Sequence, residues 1–436
     1  MQHPVYIFNL PERKDRLEVI RKQFEGRTEF NIQIVHPEID SNPRRSLWRT
    51  LVKVLTNRIS DENLQYIIVC EDDHLFTKDY SPDLLDLAIK SALDLNADVL
   101  LGGVSWQKYP YQVMKHLFFI TEFTGLQFTV IFRNFFNTIL HADFSKKPIA
   151  DKLISSLSDD KYLIYPPVSV QKEFGYSDVT PMNNRSGRVD FLFKNTENIL
   201  YRYDQVLSYY SKTNTQLLTE DLGLDKVTLP VYVLNCEAHS DGLENVKKQF
   251  SKKDEFDVEI IYDNDCGNPA LWNMIVKTVE RVSADNEDFF ILCKSNHAFT
   301  NHYAKDRLIE NIIEAYIQRA DILLGGAETT GTCVPIAQNR YWIDSFVNSS
   351  YIIFFKHFYQ KICHYKSDGE EDVDKILSKL SVNKMIIYPF ISKIHNTSSN
   401  RSQSIKREEN SKNHEAKYVL YHKIYSRFHK DSGWNE

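Results

Sequence analysis

The sequence has little of what marks several large classes of protein. Its six cysteines are scattered and form no C-x-x-C pair, which argues against a zinc ribbon and against a disulfide framework. No apolar run approaches the roughly 20 residues that span a bilayer, which argues against an integral membrane protein. Glycine and proline number 14 each, whereas tyrosine and phenylalanine number 24 and 26, so we expect few loops and aromatic cores.

A strong excess of charge is also missing. The 53 Lys and Arg residues against 59 Asp and Glu residues give a net charge of -6, which argues against a nucleic-acid binder because such a protein shows a basic surface. Residues 1–16 lack the basic start and apolar stretch of a secretory signal, so we expect a cytoplasmic protein. Residues 401–436 mix basic and aromatic side chains, which leaves a peripheral contact with the inner membrane open, although we favour a closing helix.

The sequence does contain a degenerate internal repeat. Segments of the first half return in the same order in the second half, namely Val5–Phe24 as Val231–Phe250, Glu29–His36 as Glu255–Tyr262, Asp98–Gly103 as Asp321–Gly326, and Lys161–Ser169 as Lys384–Ser392. Such repetition indicates that one structural unit is used twice. We therefore predict two tandem domains of the same fold, 1–222 and 223–436, with the boundary in the polar stretch around Thr213–Lys226.

Within each copy, short apolar runs alternate with helical patterns. Runs such as 5–10, 66–70 and 98–103 indicate strands that are buried on both faces. Strand–helix–strand alternation predicts right-handed crossovers, and hence an α/β fold of two Rossmann-like domains, each with a mainly parallel sheet between helices. Such sheets bind ligands beyond the carboxyl ends of their strands, so a site is expected in the loops that follow the strands.

Three carboxylates directly follow one of these strands. Glu71, Asp72 and Asp73 repel one another there unless a cation offsets their charge, and a solvated acidic turn is the simpler alternative. Carboxylate oxygens are the ligands that hard divalent cations such as Mn²⁺ and Mg²⁺ prefer. If the segment stays extended, Glu71 and Asp73 point one way and Asp72 the other. Glu71 and Asp73 would then hold the metal, and Asp72 would contact a sugar or ribose hydroxyl.

In these motifs the chain resembles glycosyltransferase family 25, the group of bacterial lipopolysaccharide and collagen galactosyltransferases. The resemblance covers about residues 5–180 and rests on three motifs in order: N-L-x-x-R-x-x-R at Asn9, Leu10, Arg13 and Arg16; the cluster Glu71–Asp73; and a late stretch with Pro166, Val168 and Gln171 followed by S-D-V at Ser177–Val179. It implies a GT-A fold, a UDP-sugar donor, a divalent metal and inversion at the anomeric carbon. It also implies that Asn9, Arg13 and Arg16 lie at the donor, together with Glu71 and Asp72.

The chemistry of sugar transfer agrees with these residues. When a sugar leaves a nucleoside diphosphate, charge accumulates on the phosphate and a bound metal neutralises it. Guanidinium groups match phosphate geometry, so Arg13 and Arg16 are candidates for contact with the diphosphate or uridine. An inverting displacement also needs a carboxylate that takes the proton of the acceptor hydroxyl. Asp178, in a Gly-Tyr-Ser-Asp loop, is the first candidate for this base, Glu122 the second and Asp143 the third.

The second copy has lost these features. Lys294, Ser295 and Asn296 stand in place of the three carboxylates, and residues 174–180, which contain Asp178, have no counterpart. Scaffold positions persist in both copies, among them Asn9 and Asn235, Trp48 and Trp272, His74 and His297, Asp151 and Asp374, and Gly102–Gly103 and Gly325–Gly326. We therefore predict that the second domain is degenerate and binds no nucleotide sugar. The same comparison predicts structural roles for His74, at a strand end, and for Asp151, at a helix start.

Together these observations predict a metal-dependent hexosyltransferase that moves a galactose-type sugar from a UDP-sugar to a glycan or to a lipid-linked saccharide such as lipopolysaccharide. The second domain would pack against the first, extend acceptor binding or form a homodimer contact. Two other classes stay open. One is a non-catalytic nucleotide-sugar or glycan-binding protein, and the other is a metal-dependent nucleotidyl or phosphoryl transferase that uses the same cluster.

Overall fold

The structure is a computed structural model that describes residues 2–38, 40, 42–147, 149–176, 181–212, 227–236, 240–263, 265, 267–367, 369–395 and 401–429. The chain divides into two compact units, Met1–Gln205 and Val206–Glu436. The domain boundary expected from the sequence, between residues 222 and 223, lies outside the described residues and stays a prediction.

The first unit alternates strands and helices. Its strands are β1 (His3–Phe8), β2 (Phe30–Val35), β3 (Tyr66–Glu71), β4 (His74–Phe76), β5 (Val99–Leu101), β6 (Trp106–Lys108), β7 (Tyr111–Met114), β8 (Leu117–Phe119), β9 (Glu122–Thr124), β10 (Phe128–Phe132), β11 (Lys161–Ile164) and β12 (Ser169–Gln171). The helices that begin in this unit are α1 (Lys14–Phe24), α2 (Pro43–Arg58), α3 (Pro82–Asp94), α4 (Arg133–Leu140), α5 (Ala150–Leu157) and α6 (Arg188–Tyr210), with a 3-10 turn at Pro181–Asn184.

Eight of these strands form one sheet in the order β2-β1-β3-β10-β5-β11-β8-β7. β1 pairs in parallel with β2 and β3, and β5 pairs in parallel with β11. β10 is antiparallel to both β3 and β5, and β8 and β7 add an antiparallel edge. The α/β class is confirmed, but the prediction of a mainly parallel sheet is wrong. Residues 106–132 form short strands without a helical crossover. β8 and β10 run opposite to their neighbours β11 and β5, and β6 and β9 form a separate two-stranded ribbon.

Local sequence explains the elements that carry the site. In β1 and β3, consecutive apolar residues such as Val5, Ile7, Ile67 and Ile68 are fully buried, which places both strands inside the sheet. Burial of each such side chain stabilises the fold by about 1.5–3 kcal/mol. α1 turns Ile20 and its last residue, Phe24, toward this core. β2 differs, because at the edge of the sheet three of its six residues are exposed, contrary to the expected burial of both faces.

The second unit repeats this plan. Its strands are β13 (Leu229–Cys236), β14 (Phe256–Asp263), β15 (Phe289–Lys294), β16 (His297–Phe299), β17 (Ile322–Leu324), β18 (Thr329–Thr330), β19 (Cys333–Ala337), β20 (Arg340–Ile343), β21 (Phe346–Val347), β22 (Tyr351–Phe355), β23 (Lys384–Ile387) and β24 (Ser392–Ile394). Its helices are α7 (Ser240–Phe250), α8 (Asn268–Ala284), α9 (Lys305–Ile317), α10 (Lys356–His364), α11 (Val373–Leu380) and α12 (Arg401–Phe428). Its main sheet has the order β14-β13-β15-β22-β17-β23-β20-β19, so each strand has a counterpart in the first unit and the predicted duplication is confirmed.

A short ribbon crosses the carboxyl end of β5 in the first unit. In this ribbon β12 pairs antiparallel with β4, with Gln171 opposite His74. A side chain at Gly103, just after β5, would collide with the backbone carbonyl of Ser169, so only glycine allows β12 to approach this closely. The ribbon therefore brings the residues after Ser169 to the edge where β3 ends.

The C-terminal segment forms the long helix α12, as the closing-helix interpretation expects. Among the residues that the structure describes, no helix is both long enough and apolar enough to cross a membrane.

Candidate functional site

A buried ionic cluster lies at the carboxyl end of β3. Asp72 and Asp73 occupy the turn between β3 and β4, and the first turn of α1 carries Arg16, which is 4% exposed. Arg16 Nη1 lies 3.1 Å from Asp72 Oδ1 and 3.3 Å from Asp73 Oδ2. One guanidinium therefore binds both carboxylates, in surroundings where solvent screens little of the attraction.

Two more predicted residues complete the contacts of Asp72. Asn9, which follows β1, donates from Nδ2 to Asp72 Oδ2 at 3.1 Å. Arg13, at the start of α1, places Nη1 at 3.5 Å from the same oxygen. β1 and β3 are parallel neighbours, so Asn9 and Asp72 are both found just beyond the carboxyl ends of adjacent strands. The structure thus brings five of the predicted donor-site residues together: Asn9, Arg13, Arg16, Asp72 and Asp73.

The end of β12 and the segment that follows it close the cluster from another side. Gln171 donates from Nε2 to Asp73 Oδ2 at 2.6 Å, and the backbone N–H of Lys172 donates to the Asp73 carbonyl at 2.7 Å. Tyr176 accepts a hydrogen bond from Arg16 Nη2 at its carbonyl, 2.8 Å away, and its ring lies 4.5 Å from the guanidinium carbon. The ring of Phe174 lies 4.7 Å from the same carbon. Sequence reasoning did not assign these contacts, although the motif that contains Gln171 pointed to this segment.

The expected alternation of side chains through the acidic cluster is wrong. Asp72 and Asp73 both face Arg16, because they occupy a turn rather than a continuing strand. Glu71, the last residue of β3, is partly exposed, and no described residue hydrogen-bonds its carboxylate. Burial and the nearby charges of Asp73, Asp72 and Asp151 raise the pKa of Glu71 well above its ordinary value.

Asp73 is also held in an unfavourable environment for charge. Burial raises its pKa to about 6, against the opposing effects of the Gln171 hydrogen bond and the two arginines. Its Oδ1 atom and the Oδ1 atom of Asn9 are buried and have no hydrogen-bond partner among the described residues. A buried oxygen without a partner is destabilising, and such atoms occur where a ligand supplies the missing contact.

The candidate bases lie outside this cluster or outside the described residues. Glu122, the first residue of β9, is exposed and binds Lys108 Nζ at 2.8 Å across the β6–β9 ribbon. Asp143 is exposed and bonds to Ser145, whose hydroxyl lowers the pKa of Asp143. Asp178 falls in residues 177–180, outside the described part of the chain, so its assignment stays a prediction.

Asp151 is a carboxylate near the site that sequence reasoning assigned to structure. It is the second residue of α5, as the helix-start interpretation expects, and its two oxygens accept the backbone N–H groups of Gly125 at 2.9 Å and Lys152 at 2.7 Å. It lies close enough to Glu71 to raise the pKa of that carboxyl, and burial raises the pKa of Asp151 itself. Because an aspartate stands at this position in both copies of the repeat, the sequence indicated a structural role and not a place near Glu71.

The second unit shows the same framework with different charges. Glu71 pairs in register with Phe8, and Lys294 pairs with Leu234, so the two positions are equivalent. Lys294 Nζ lies 3.3 Å from Oδ1 of Asp374, the second residue of α11. The pair Lys294–Asp374 thus stands at the positions that Glu71 and Asp151 have in the first unit. A cleft of about 640 Å³ does open in the second unit, but its lining, which includes Glu328, does not contain Lys294.

The buried histidine after the turn has the same contact in both units. His74 Nδ1 lies 2.7 Å from the hydroxyl of Ser169, and His297 Nδ1 lies 2.9 Å from that of Ser392. Burial lowers the pKa of each imidazole to about 3, so both are neutral at physiological pH. The shared contact agrees with the predicted structural role of His74.

The residues fit a divalent cation in part. Among the described residues, no group of three His, Cys, Asp or Glu side chains is arranged to hold a metal. Arg13 and Arg16 neutralise Asp72 and Asp73, which leaves the carboxylate of Glu71 and the Oδ1 atom of Asp73 without a hydrogen-bond partner among the described residues. Mg²⁺ sites commonly use one or two carboxylates and complete their coordination with water and substrate phosphates. These oxygen ligands fit a cation whose coordination is completed by water and substrate phosphates, rather than a cation held by protein ligands alone.

Comparison with known proteins finds no matching family model and no matching curated protein. Among solved structures, A197 from STIV is 13% identical, with a TM-score of 0.30 over 41% of this chain and 87% of that chain. An apo UDP-glucose pyrophosphorylase is 11% identical, with a TM-score of 0.25 over 46% of this chain and 81% of that one. A UDP-glucose pyrophosphorylase complexed with UDP-glucose is 12% identical, with a TM-score of 0.23 over 44% and 74%. These TM-scores are too low to assign a fold family or a function to this chain.

Proposed function

We propose that the first unit is a metal-dependent, inverting glycosyltransferase of the GT-A type, similar to glycosyltransferase family 25. It transfers a galactose-type sugar from a UDP-sugar to a glycan or lipid-linked acceptor. The observation that supports this most is the buried cluster of Asn9, Arg13, Arg16, Asp72 and Asp73 at the carboxyl edge of the sheet. Ligands bind at this edge in open α/β sheets.

The charges of the cluster suit a nucleoside diphosphate. Asp73 Oδ1 and Asn9 Oδ1 are hydrogen-bond acceptors that no described residue donates to. Ribose or sugar hydroxyls are suitable hydrogen-bond donors for them. α1 begins at Lys14 beside the cluster, and the start of a helix favours phosphate. Arg13 is 17% exposed at its side chain and is the arginine of the pair with access to a bound phosphate.

A divalent cation bound at Glu71 would supply neutralisation of the leaving diphosphate. The residues of the chain have separate tasks. Arg16 and Gln171 fix the carboxylate of Asp73, so its remaining oxygen keeps one orientation. The base that takes the acceptor proton is assigned to Asp178, with Glu122 as the second candidate. In the second unit, Lys294 and its two neutral successors provide no comparable donor site.

The test is binding and turnover with the full chain. Thermal shift with UDP-, GDP- and CMP-sugars, with and without Mn²⁺, should show a Mn²⁺-dependent rise with a UDP-sugar. A ligand at 100 times its Kd adds about 2.7 kcal/mol of stability. Product analysis then separates the candidate reactions. Release of UDP with transfer of the sugar supports the proposal. Exchange of pyrophosphate with a UDP-sugar would instead show that the protein is a nucleotidyl transferase. Binding without turnover in the presence of glycan acceptors would favour a binding protein.

A further inference from the structure

The charges around the site do not balance. Two arginines, Arg13 and Arg16, offset the two carboxylates of Asp72 and Asp73 at distances of 3.1–3.5 Å. No described residue forms an ion pair or hydrogen bond with the carboxylate of Glu71, and besides Asp72 and Asp73 the charge of Asp151 acts on it. When both are ionised, Glu71 and Asp151 repel each other beside a cluster that is already neutral.

Asp151 is only partly compensated by its own surroundings. Its oxygens accept the two backbone N–H groups of Gly125 and Lys152, which leaves lone pairs on both oxygens. The side chain of Lys152 acts on Asp151 electrostatically but is exposed, so solvent screens much of its effect. Arg16 is a buried cation whose charge reaches Glu71, but it is already paired with Asp72 and Asp73.

In the second unit, a positively charged side chain lies beside the counterpart of Asp151. Asp374 occupies the second position of α11 as Asp151 does in α5, and it also accepts a backbone N–H, that of Ser349, at 3.1 Å. At the position of Glu71 stands Lys294, whose ammonium lies 3.3 Å from Asp374 Oδ1. The lysine is a built-in cation at the place where the first unit has a second carboxylate.

We propose that Glu71 and Asp151 together bind a divalent cation in the first unit, and that Lys294 Nζ occupies the corresponding place in the second unit. Asp151 then replaces Asp73 as a metal ligand, and the Oδ1 atom of Asp73, which has no partner among the described residues, stays available to a ribose or sugar hydroxyl. Two carboxylates with water and phosphate oxygens form a normal Mg²⁺ or Mn²⁺ site. This inference rests on the proposed function for the source of the phosphate, but it does not need that function for binding of the ion itself.

The experiment measures Mn²⁺ binding to the full chain by calorimetry, with and without UDP. Asp151→Asn and Glu71→Lys are the test variants, and Asp73→Asn is compared with them. Asp83→Asn is the matched control, because Asp83 is the second residue of α3, as Asp151 is of α5, but is exposed and away from these contacts. Circular dichroism checks folding, and Glu71→Gln replaces any test variant that does not fold.

We expect Asp151→Asn and Glu71→Lys each to weaken Mn²⁺ binding at least about tenfold, since even partners of metal ligands cost about 10–100-fold when replaced. Glu71→Lys should also raise the melting temperature without metal by about 2–4 °C, because it installs the ion pair of the second unit. Asp83→Asn should bind as the unmodified chain does. This pattern would support the inference.

Two results would overturn it: unchanged Mn²⁺ affinity in Asp151→Asn, or no Mn²⁺ binding by the unmodified chain in either condition. Affinity lost in Asp73→Asn but kept in Asp151→Asn would return the site to Glu71 and Asp73. Failure of the proposed function looks different. Mn²⁺ binding that depends on Asp151, without turnover of any nucleotide sugar, would keep the cation site and remove the glycosyltransferase.

Discussion

Replacement of Asp73 by asparagine should stabilise the first unit at neutral pH, although it removes a partner of Arg16. The cause is the cost of a charge in this place. Burial raises the pKa of Asp73 to about 6, although Gln171 and the arginines oppose the shift. A carboxyl whose pKa rises on folding is one that the folded protein prefers to keep protonated.

The magnitude follows from linkage between protonation and folding. An unfolded aspartate has a pKa of about 4, so the shift is roughly two units, or about 3 kcal/mol at pH 7. Between pH 4 and 6 the folded state binds more protons than the unfolded state, so stability falls as the pH rises through this window and stays reduced above it. Asparagine cannot ionise, so the Asp73→Asn variant does not lose this stability as the pH rises. Removal of the charge also lowers the pKa of Glu71, which acts in the same direction.

The assay is urea unfolding at pH 4.5 and pH 7 for the unmodified chain and for Asp73→Asn. Hydrogen exchange of the β3 amides, corrected for intrinsic rates, reports the first unit separately from the second. We expect the variant to gain up to about 3 kcal/mol at pH 7 and much less at pH 4.5. Both proteins keep the buried His74 and His297, so acid effects of these residues cancel in the difference.

The control is Asp83→Asn, which changes an exposed aspartate in α3 and should alter stability by less than about 0.5 kcal/mol at either pH. A variant that is less stable than the unmodified chain at pH 7, by a similar amount at pH 4.5, would refute the reasoning. The cluster would then be a net stabilising ion-pair network rather than a strained site. Loss of Mn²⁺-dependent donor turnover in the stabilised variant would show that the charge serves function.

Three further predictions concern the other charges. Arg16→Met should destabilise the first unit by about 3–5 kcal/mol in urea at pH 7, because two buried carboxylates lose their partner, and less at pH 4.5; equal losses would contradict this. Lys294→Glu should cost the second unit about 1–3 kcal/mol by opposing Asp374, and restoring all three carboxylates there should give no UDP-sugar binding by calorimetry. Asp178→Asn should lower turnover by about 10² with donor affinity kept, while Glu122→Gln has little effect; the reverse result exchanges the two candidate bases.

Much of the cluster could be predicted because it depends on strand ends. Asn9 follows β1 and Asp72 follows β3, and both strands are short apolar runs that are evident in the sequence. Arg13 and Arg16 lie about one helical turn apart at the start of α1, which the sequence spacing also indicates. Once these strands pair in parallel, their carboxyl ends meet and the side chains come together.

The remaining features depend on contacts between distant segments. The sequence between β5 and α4 has no helical period to mark a crossover, so the antiparallel insertion of β10 between β3 and β5 was not foreseen. The orientation of Asp73 depends on a turn and on Gln171, which is distant in sequence. Glu122 lies outside the cluster because it pairs with Lys108 across the β6–β9 ribbon, and no local sequence pattern predicts that ribbon.

The duplication also shows how a shared residue can be misjudged. His74 and His297 make the same hydrogen bond in both units, so their common role is structural. Asp151 and Asp374 share a helix position, and each accepts a backbone N–H, so the same argument would make them structural as well. Their neighbours differ, however: the charge of Asp151 acts on Glu71, whereas Asp374 forms an ion pair with Lys294. A residue found in both copies therefore has one role only if its contacts are also shared, and the changed partner of Asp151 is what points to a cation.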